Sequence, residues 1–446
     1  MSRILLAALL LASAQAPLGS TLVAVALPEI ATGLRGDTVH TTTLVVASYL
    51  VITVLFQGPG GRLSDAIGHA RTLWIGIGLF GLGSVAGFLS PSIWVLALAR
   101  SITAIGGALV VPSTMALLRI LVQPERRGRV FGAFGATMAL SAALGPVIGG
   151  VVVEFLGWRA VFLVSLPFLI LASFLLRIYP LPAPKEAGAG VLRSLDLSGL
   201  AMLFAALVLI IGSAEIDGDW RVAGLLAGLA IGTGFVVKQW QAVAPVLDVR
   251  LLRDPVLAAA TSIMALQNFA MYGLLFQIPA FFEHFRHTSS REVGFGLFTM
   301  MIGMVAAAPL GGRATDRFGA RIAGMTGAAA LLAGSLALCR ITSFASPMDA
   351  VIFLILFGIG MGVSSAPAQS SAMAAVTPDR AGMAAGLSST MRYLGGIATI
   401  AVQAAVLGGD ATVTEGRHQL MVNLYAAAAL GSLVVASLLP RRPLGT

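Results

Sequence analysis

Apolar runs of about twenty residues, each followed by a short polar segment, recur along the whole chain. A run of that length, coiled as a helix, matches the hydrocarbon thickness of a bilayer. Fourteen spans are expected, at residues 4–27, 42–59, 72–89, 93–121, 130–153, 160–178, 197–213, 222–240, 256–282, 293–310, 322–338, 350–376, 384–407 and 420–439. The predicted class is an all-α polytopic membrane protein. No polar stretch is long enough to fold as a soluble catalytic domain. Near the amino terminus Arg3, an apolar run and Ala14-Gln15-Ala16 are similar to a signal sequence with its cleavage site. The apolar character continues beyond Ala16 to Leu27, so this segment is read as an uncleaved first span.

Composition agrees with lipid as the solvent. The chain is 57% hydrophobic and 11% charged, against roughly 25% charged in soluble domains, and its mean hydropathy is +0.93. The net charge of +9 sits on basic residues scattered between apolar runs, with no basic stripe interleaved with aromatics, so nucleic acid is not an expected partner. Cytoplasmic loops carry the excess of Lys and Arg. With the amino terminus inside, only Arg35, Arg159, Arg221, Arg286, Arg291, Arg340 and Arg417 lie outside, while Arg100 and Arg392 lie within spans. Both termini are therefore expected on the cytoplasmic side of a cytoplasmic membrane. Cys339 is the single cysteine, which excludes an intramolecular disulfide.

The chain also repeats itself. Gly61-Arg62-Leu63-Ser64-Asp65-Ala66-Ile67-Gly68-His69-Ala70-Arg71 follows the second span, and Gly312-Arg313-Ala314-Thr315-Asp316-Arg317-Phe318-Gly319-Ala320-Arg321 follows the tenth. Asp65 and Asp316 fall at matching distances from the first and ninth spans, which predicts two six-helix halves with an additional helix pair between them. The expected bounds are 1–180 for the first half, 195–241 for the pair and 255–446 for the second half. Polar linkers are expected at 180–194 and 248–255.

These residues resemble the major facilitator superfamily, and within it the fourteen-helix branch that includes drug:proton antiporters. The loop motif of that superfamily, G-x-L-x-D-x-x-G-[RK]-[RK], is matched at Gly61, Leu63, Asp65 and Gly68, while His69 and Ala70 replace its basic pair and Arg71 stands next. The resemblance implies a cytoplasmic latch of Asp65, Arg71, Asp316 and Arg317, a charge network that breaks when the halves rock. The alternative is a tight glycine turn that sets topology. Arg100 with Gly106, Gly107 and Pro112 resembles the R-x-x-Q-G-x-G motif. An arginine within a span costs at least ~2.5 kcal/mol unless it faces protein or water, which makes Arg100 a functional candidate or a structural arginine on carbonyls.

Ser141 to Gly150 is similar to the G-x-x-x-G-P-x-x-G-G signature associated with antiporters. Gly145, Gly149 and Gly150 would let helices approach closely and Pro146 would bend the span, which suits a pivot and equally a plain packing seam. Gly157-Trp158-Arg159, the run Pro245 to Arg250 and Arg392-Tyr393-Leu394-Gly395-Gly396 also look typical of the branch. One departure stands out: Gly19 and Ala24 occupy the positions of Asp and Asn in the branch's first-helix pattern, so a coupling carboxylate is absent there.

Proton coupling by a side chain needs a group that changes protonation as access alternates. None of the nineteen acidic residues lies mid-span, and the five histidines are read as lying in loops or at span edges. Glu154 is the leading proton carrier, because it follows the Gly-Pro pivot and partial desolvation there would suit the role, and Glu29 is second. Both are alternatively ordinary interfacial carboxylates, and coupling through Asp65 or uniport stays open. The expected pathway groups are Gln57, Gln267, Asn268 and Gln369, joined by Gln277, Gln403 and Asn423, with Met264, Met271, Met300, Met301 and Met304 as an adaptable lining. Few charges there suit apolar or weakly cationic solutes, although Arg100 and Arg392 leave room for one anion.

Glu283, His284 and His287 are weak evidence for a metal, and none is expected. No G-x-x-x-x-G-K-[ST] loop occurs, so ATP-driven pumping is disfavoured and no cofactor is expected. A membrane enzyme would need clustered His, Asp or Ser, and a sensor a soluble signalling domain. The expectation is a secondary exporter of small hydrophobic or amphiphilic molecules by proton antiport, a multidrug efflux activity of the kind that confers antibiotic resistance. The alternative is a substrate-specific metabolite or lipid exporter without proton coupling. Its expected partners are a small-molecule substrate, protons and membrane lipid, with the chain acting as a monomer.

Overall fold

The computed structural model describes residues 2–179, 181, 196–216, 218–242, 245–341, 347–377, 381–407 and 414–441. The linker expected at 180–194 lies outside the described residues, apart from Leu181. Among the described residues all regular structure is helical, as lipid requires of a backbone that has to satisfy its own hydrogen bonds.

The elements are α1 (Arg3–Gly33), α2 (Thr38–Thr42), a π-helical turn (Thr43–Ala47), α3 (Ser48–Ile67), α4 (His69–Phe88), α5 (Ile93–Leu121) and α6 (Pro124–Leu156). A 3₁₀ turn (Trp158–Leu163) leads into α7 (Ser165–Ile178), and α8 (Leu197–Ser213) and α9 (Asp219–Gln241) follow. A second 3₁₀ turn (Val249–Arg253) precedes α10 (Pro255–Arg286), α11 (Ser290–Phe318), α12 (Ala320–Leu338), α13 (Pro347–Ala374), α14 (Ala381–Leu407) and α15 (Glu415–Ala436). Among the described residues thirteen helices are long and apolar enough to cross a membrane, with α2, the π-helical turn and α3 running together as one. At 17 residues α8 falls just short of them, but at 1.5 Å per residue its ~26 Å reaches the lower end of the spanning range.

Polar side chains start these helices where the expected loops are. Ser2, Asp37, Ser92, Asp196, Asp254, Ser289 and Thr414 each accept a hydrogen bond from a first-turn N–H, supplying acceptors that the helix itself lacks. The 248–255 linker is ordered by the same chemistry. Asp248 accepts from Arg250 Nε at 2.7 Å, and Asp254 accepts from the N–H groups of Val256 and Leu257.

Helices α1 to α7 pack among themselves, chiefly α1 on α5, α6 and α7, and α5 on α3 and α4. Helices α10 to α15 do likewise, with α13 between α11 and α12 and α10 against α14 and α15. The two groups meet where α6 packs on α11, α1 on α10 and α3 on α14. The pair α8–α9 is peripheral: α9 buries 11% of its apolar window, against 78% for α10. Even so, α8 touches α3 and α14, one helix from each group, so the pair lies along the line between them.

Asp196 anchors that pair. Its carboxylate accepts from Gly199 N–H at 2.8 Å, Lys238 Nζ at 2.5 Å and Gln239 Nε2 at 2.7 Å, and Gln239 in turn accepts from Val246 N–H at 2.7 Å in the following linker. Burial alone pushes the Asp196 carboxyl up, but Lys238, Gly199, Gln239 and Ser198 together outweigh it and hold the group at about 2.

Candidate functional site

Arg100 is 3% exposed on α5. Its guanidinium donates to Gly19 O on α1 at 3.1 Å and lies 4.2 Å over the Tyr49 ring on α3, while its Nε–H has no acceptor. Tyr49 in turn donates to Ala16 O at 2.9 Å. The second helix group carries polar and aromatic side chains of its own on α10 and α14. Tyr272 of α10 is buried, stacks on Phe276 at 5.7 Å and packs against Gly396 of α14. Arg392 donates to Gln369 Oε1 at 2.6 Å and is exposed, although it sits near the middle of α14. Its guanidinium also lies 4.0 Å from Met264 Sδ of α10. The Gly19 departure thus leaves Arg100 with a backbone carbonyl and an aromatic face, and no carboxylate.

The two groups close on each other at the end of the bundle where α1 and α6 finish and α11 begins. A Cβ on Gly149 would stand 2.5 Å from Leu22 O on α1, and one on Gly150 would stand 2.6 Å from Ser290 O on α11. Gly145 meets Thr21 in the same way, and the Pro146 carbonyl abuts Gly294. Thr21 donates to Ala142 O at 2.9 Å. The run at 145–150 therefore joins α6 to α1 in its own group and to α11 in the other. Glu29 is half-buried beside this contact and accepts from Ser290 Oγ at 3.2 Å, crossing between the groups. Glu154 is exposed in the last turn of α6.

The polar residues expected in the pathway divide. Gln267 is 1% exposed and donates to Ser364 and Ser432, bracing α10 to α13 and α15 rather than lining a path. Asn268 is buried and donates to Met264 O, one turn back in its own helix. Gln57 Oε1 is buried without a partner, and Gln369 holds Arg392. Asn423 is exposed and accepts from Cys339 Sγ.

One correction concerns His418. Read as an edge residue, it is 2% exposed, because α15 starts at Glu415, well before the apolar run. Its ring stacks on Phe281 at 3.7 Å and its Nδ1 meets Gln277 Nε2 at 2.6 Å. Tyr425 donates to Gln277 Oε1 at 2.6 Å, and Gln403 donates to Tyr425 Oη at 2.9 Å. The sequence holds no signal for this network, whose hydrogen-bonded partners lie 22 to 148 positions apart.

The repeated loop motif folds as a glycine turn in both copies. Gly68 has φ 93° and ψ 138°, and Gly319 has φ 85° and ψ 158°. In the first copy His69 Nδ1 meets Ser64 Oγ at 2.8 Å and Ser113 donates to Ser64 at 3.0 Å. Arg71, Asp316 and Arg317 are exposed, and Asp316 forms no ion pair with any described residue. The side chain of Asp65 lies outside what is described.

The fold and this motif geometry lead to known proteins. The Major Facilitator Superfamily profile matches residues 9–400. The chain is 30% identical over 433 residues to the uncharacterized MFS-type transporter YvkA of Bacillus subtilis (strain 168), covering 96% of this chain and 94% of that protein. It is 31% identical over 440 residues to the multidrug resistance protein Stp of Mycobacterium tuberculosis (strain CDC 1551 / Oshkosh), covering 96% of this chain and 80% of Stp. Among solved structures a D-xylose-proton symporter superposes with a TM-score of 0.70 at 14% identity, over 99% of both chains, a likeness of fold alone. With its apolar helices, its doubled Gly-turn motif and a profile match across most of its length, this chain belongs to the major facilitator superfamily and is a multi-pass membrane transporter of small molecules.

Proposed function

We propose that the chain is a secondary exporter of small hydrophobic or amphiphilic molecules, working by alternating access in a cytoplasmic membrane with both termini inside. The helix groups α1–α7 and α10–α15 are the moving halves and α8–α9 is an added pair beside them. The observation that carries this reading is the α6–α11 seam. It rests on Gly150 and Gly294 with few polar bonds, so it can part and re-form without leaving buried polar groups unsatisfied. In the present conformation the seam, at the end that this topology places outside, is closed. Exposure of Arg71, Asp316 and Arg317 suits a cytoplasmic latch that engages in the opposite state. Export rather than uptake is supported by the pivot run Gly145 to Gly150 and by the similarity to Stp, a multidrug resistance protein.

Protons are the proposed exchange partner, carried by Glu29, since its contact with Ser290 exists only when the seam is shut. Glu154, exposed on the same rim, is the second candidate. The absence of a carboxylate beside Arg100 among the described residues favours one competing reading, export without a coupling ion. Proteoliposomes loaded with cationic, neutral and anionic fluorescent dyes, with and without a pH gradient, separate the two. Gradient-driven export that Glu29→Gln abolishes and Glu154→Gln retains supports antiport through Glu29. Equal export with and without the gradient supports the uncoupled reading.

A further inference from the structure

The pair α8–α9 is tied to both helix groups at the end of the bundle where α1 finishes and α2 begins. His40 of α2 meets Glu215, just past the end of α8, with Nδ1 and Oε2 2.8 Å apart. A carboxylate only accepts, so Nδ1 carries the proton. Arg221, in the first turn of α9, donates to Ala405 O in the last turn of α14 at 2.9 Å. One tie reaches the first group and the other reaches the second. A crevice runs between the same elements: Thr38, Val39 and Thr42 line it from α2, Gln277 from α10, and Gln403 and Ala404 from α14. Val39 and Ala404 adjoin His40 and Ala405 in the chain, so the two ties stand beside it. Packing on this side is incomplete, unlike the backbone contact of α6 with α11. Helix α2 also joins α3 through the π-helical turn Thr43–Ala47, where Thr42 and Thr43 hydroxyls donate back to Thr38 O and Val39 O. Helices kink at such turns, which gives α2 a hinge of its own.

We infer that α8–α9 is a clasp across the outer ends of the two halves, with His40–Glu215 as the latch that releases when the outer end opens. The inference rests on the alternating-access reading, in which the outer ends of the halves draw apart. One of the two ties then has to break. The side chains of His40 and Glu215 are 41% and 21% exposed, so water takes over their hydrogen bonds on parting, and exposed pairs of this kind are weak. The Ala405 carbonyl lies in the last turn of α14, where the helix itself supplies no donor. Losing Arg221 would strand that acceptor, so the second tie holds. The pair therefore rides with α14, and α2 swings away from it.

The test places spin labels at Thr32→Cys on α1 and Glu292→Cys on α11, away from the clasp, in the full chain carrying Cys339→Ser. Pulsed electron spin resonance then gives the ratio of closed to open outer ends without any need for a known solute. His40→Ala and Glu215→Ala should each lower that ratio about 2–5-fold, the range set by an exposed pair. The double variant should lower it no further, because either change alone removes the contact. His40→Lys, which keeps a donor for the carboxylate, should restore most of the ratio. Trp220→Ala is the control: it lies on the same pair but is 77% exposed, and should leave the ratio unmoved. A ratio unmoved in both single variants, or two effects that add in the double variant, overturns the latch and leaves alternating access standing. A single short distance in every variant, Gly150→Ala included, sinks the alternating-access reading and the latch with it.

Discussion

Gly150→Ala tests the moving seam most directly. The added methyl would stand 2.6 Å from Ser290 O and 3.0 Å from Arg291 Cα, both backbone atoms of the opposite helix group. Neither can swing away as a side-chain end would, so α6 and α11 have to separate. Overpacking of this kind costs about 1–3 kcal/mol. The contact exists only while the seam is shut, so the whole cost falls on that state and lowers the closed-to-open ratio about 5–150-fold. Gly149→Ala is the control. Its methyl would stand 2.5 Å from Leu22 O within the same group, so it should lower thermal stability in every conformation. The assay is pulsed electron spin resonance between labels at Thr32→Cys and Glu292→Cys, in a Cys339→Ser background that removes the single native thiol. Gly150→Ala should lengthen the distance distribution at this end and slow transport, and Gly149→Ala should leave the distribution in place. If Gly150→Ala lowers stability as Gly149→Ala does, with the distances unmoved, the seam is static packing and the pivot argument fails.

Three further outcomes are expected. Tyr425→Phe removes the hydroxyl that joins Gln277 and Gln403 and leaves two buried amides short of a partner, lowering stability by about 1–3 kcal/mol in a detergent melt; an unchanged melting point would show that the network is not holding α10, α14 and α15 together. Asp196 has its pKa depressed in the fold to about 2, so its contribution is complete above the ordinary carboxylate range and is lost as pH falls through about 4 toward 2. With Lys238 34% exposed and screened by solvent, that contribution is about 1 kcal/mol. Asp196→Asn should therefore lower stability at pH 7, and the gap should narrow in melts below pH 4. Gly68→Ala and Gly319→Ala each force a side chain onto a backbone with positive φ and should cost about 1–2 kcal/mol. Gly61→Ala, in the same motif but with nothing near its Cβ position, should be neutral or stabilising; a loss at Gly61 matching that at Gly68 would point to a contact role for the first motif glycine.

Spans, repeat and turns were determined by the sequence alone, because lipid leaves the backbone little choice. Twenty apolar residues have to coil, and polar residues between them have to lie at the ends. That is why α10 and α11 begin close to their expected positions, and why Gly68 and Gly319, matched in sequence, share one backbone conformation. The close approach at Gly149 and Gly150 was legible for a similar reason: only a residue without a side chain allows two backbones so near.

What the polar residues do inside the bundle was decided by tertiary structure. A helix apolar all round carries no periodicity to say which face meets which neighbour, and in lipid no hydrophobic force sorts one face from another. Gln267 thus reads as a pathway group but braces three helices, and His418 reads as a loop residue but stacks on Phe281 in a buried network. Arg100 was recognisable as a costly residue, yet only the folding together of α1, α3 and α5 showed that it rests on a carbonyl and a tyrosine face with a donor to spare. Its partners lie 81 and 51 positions away, a distance that no local pattern spans.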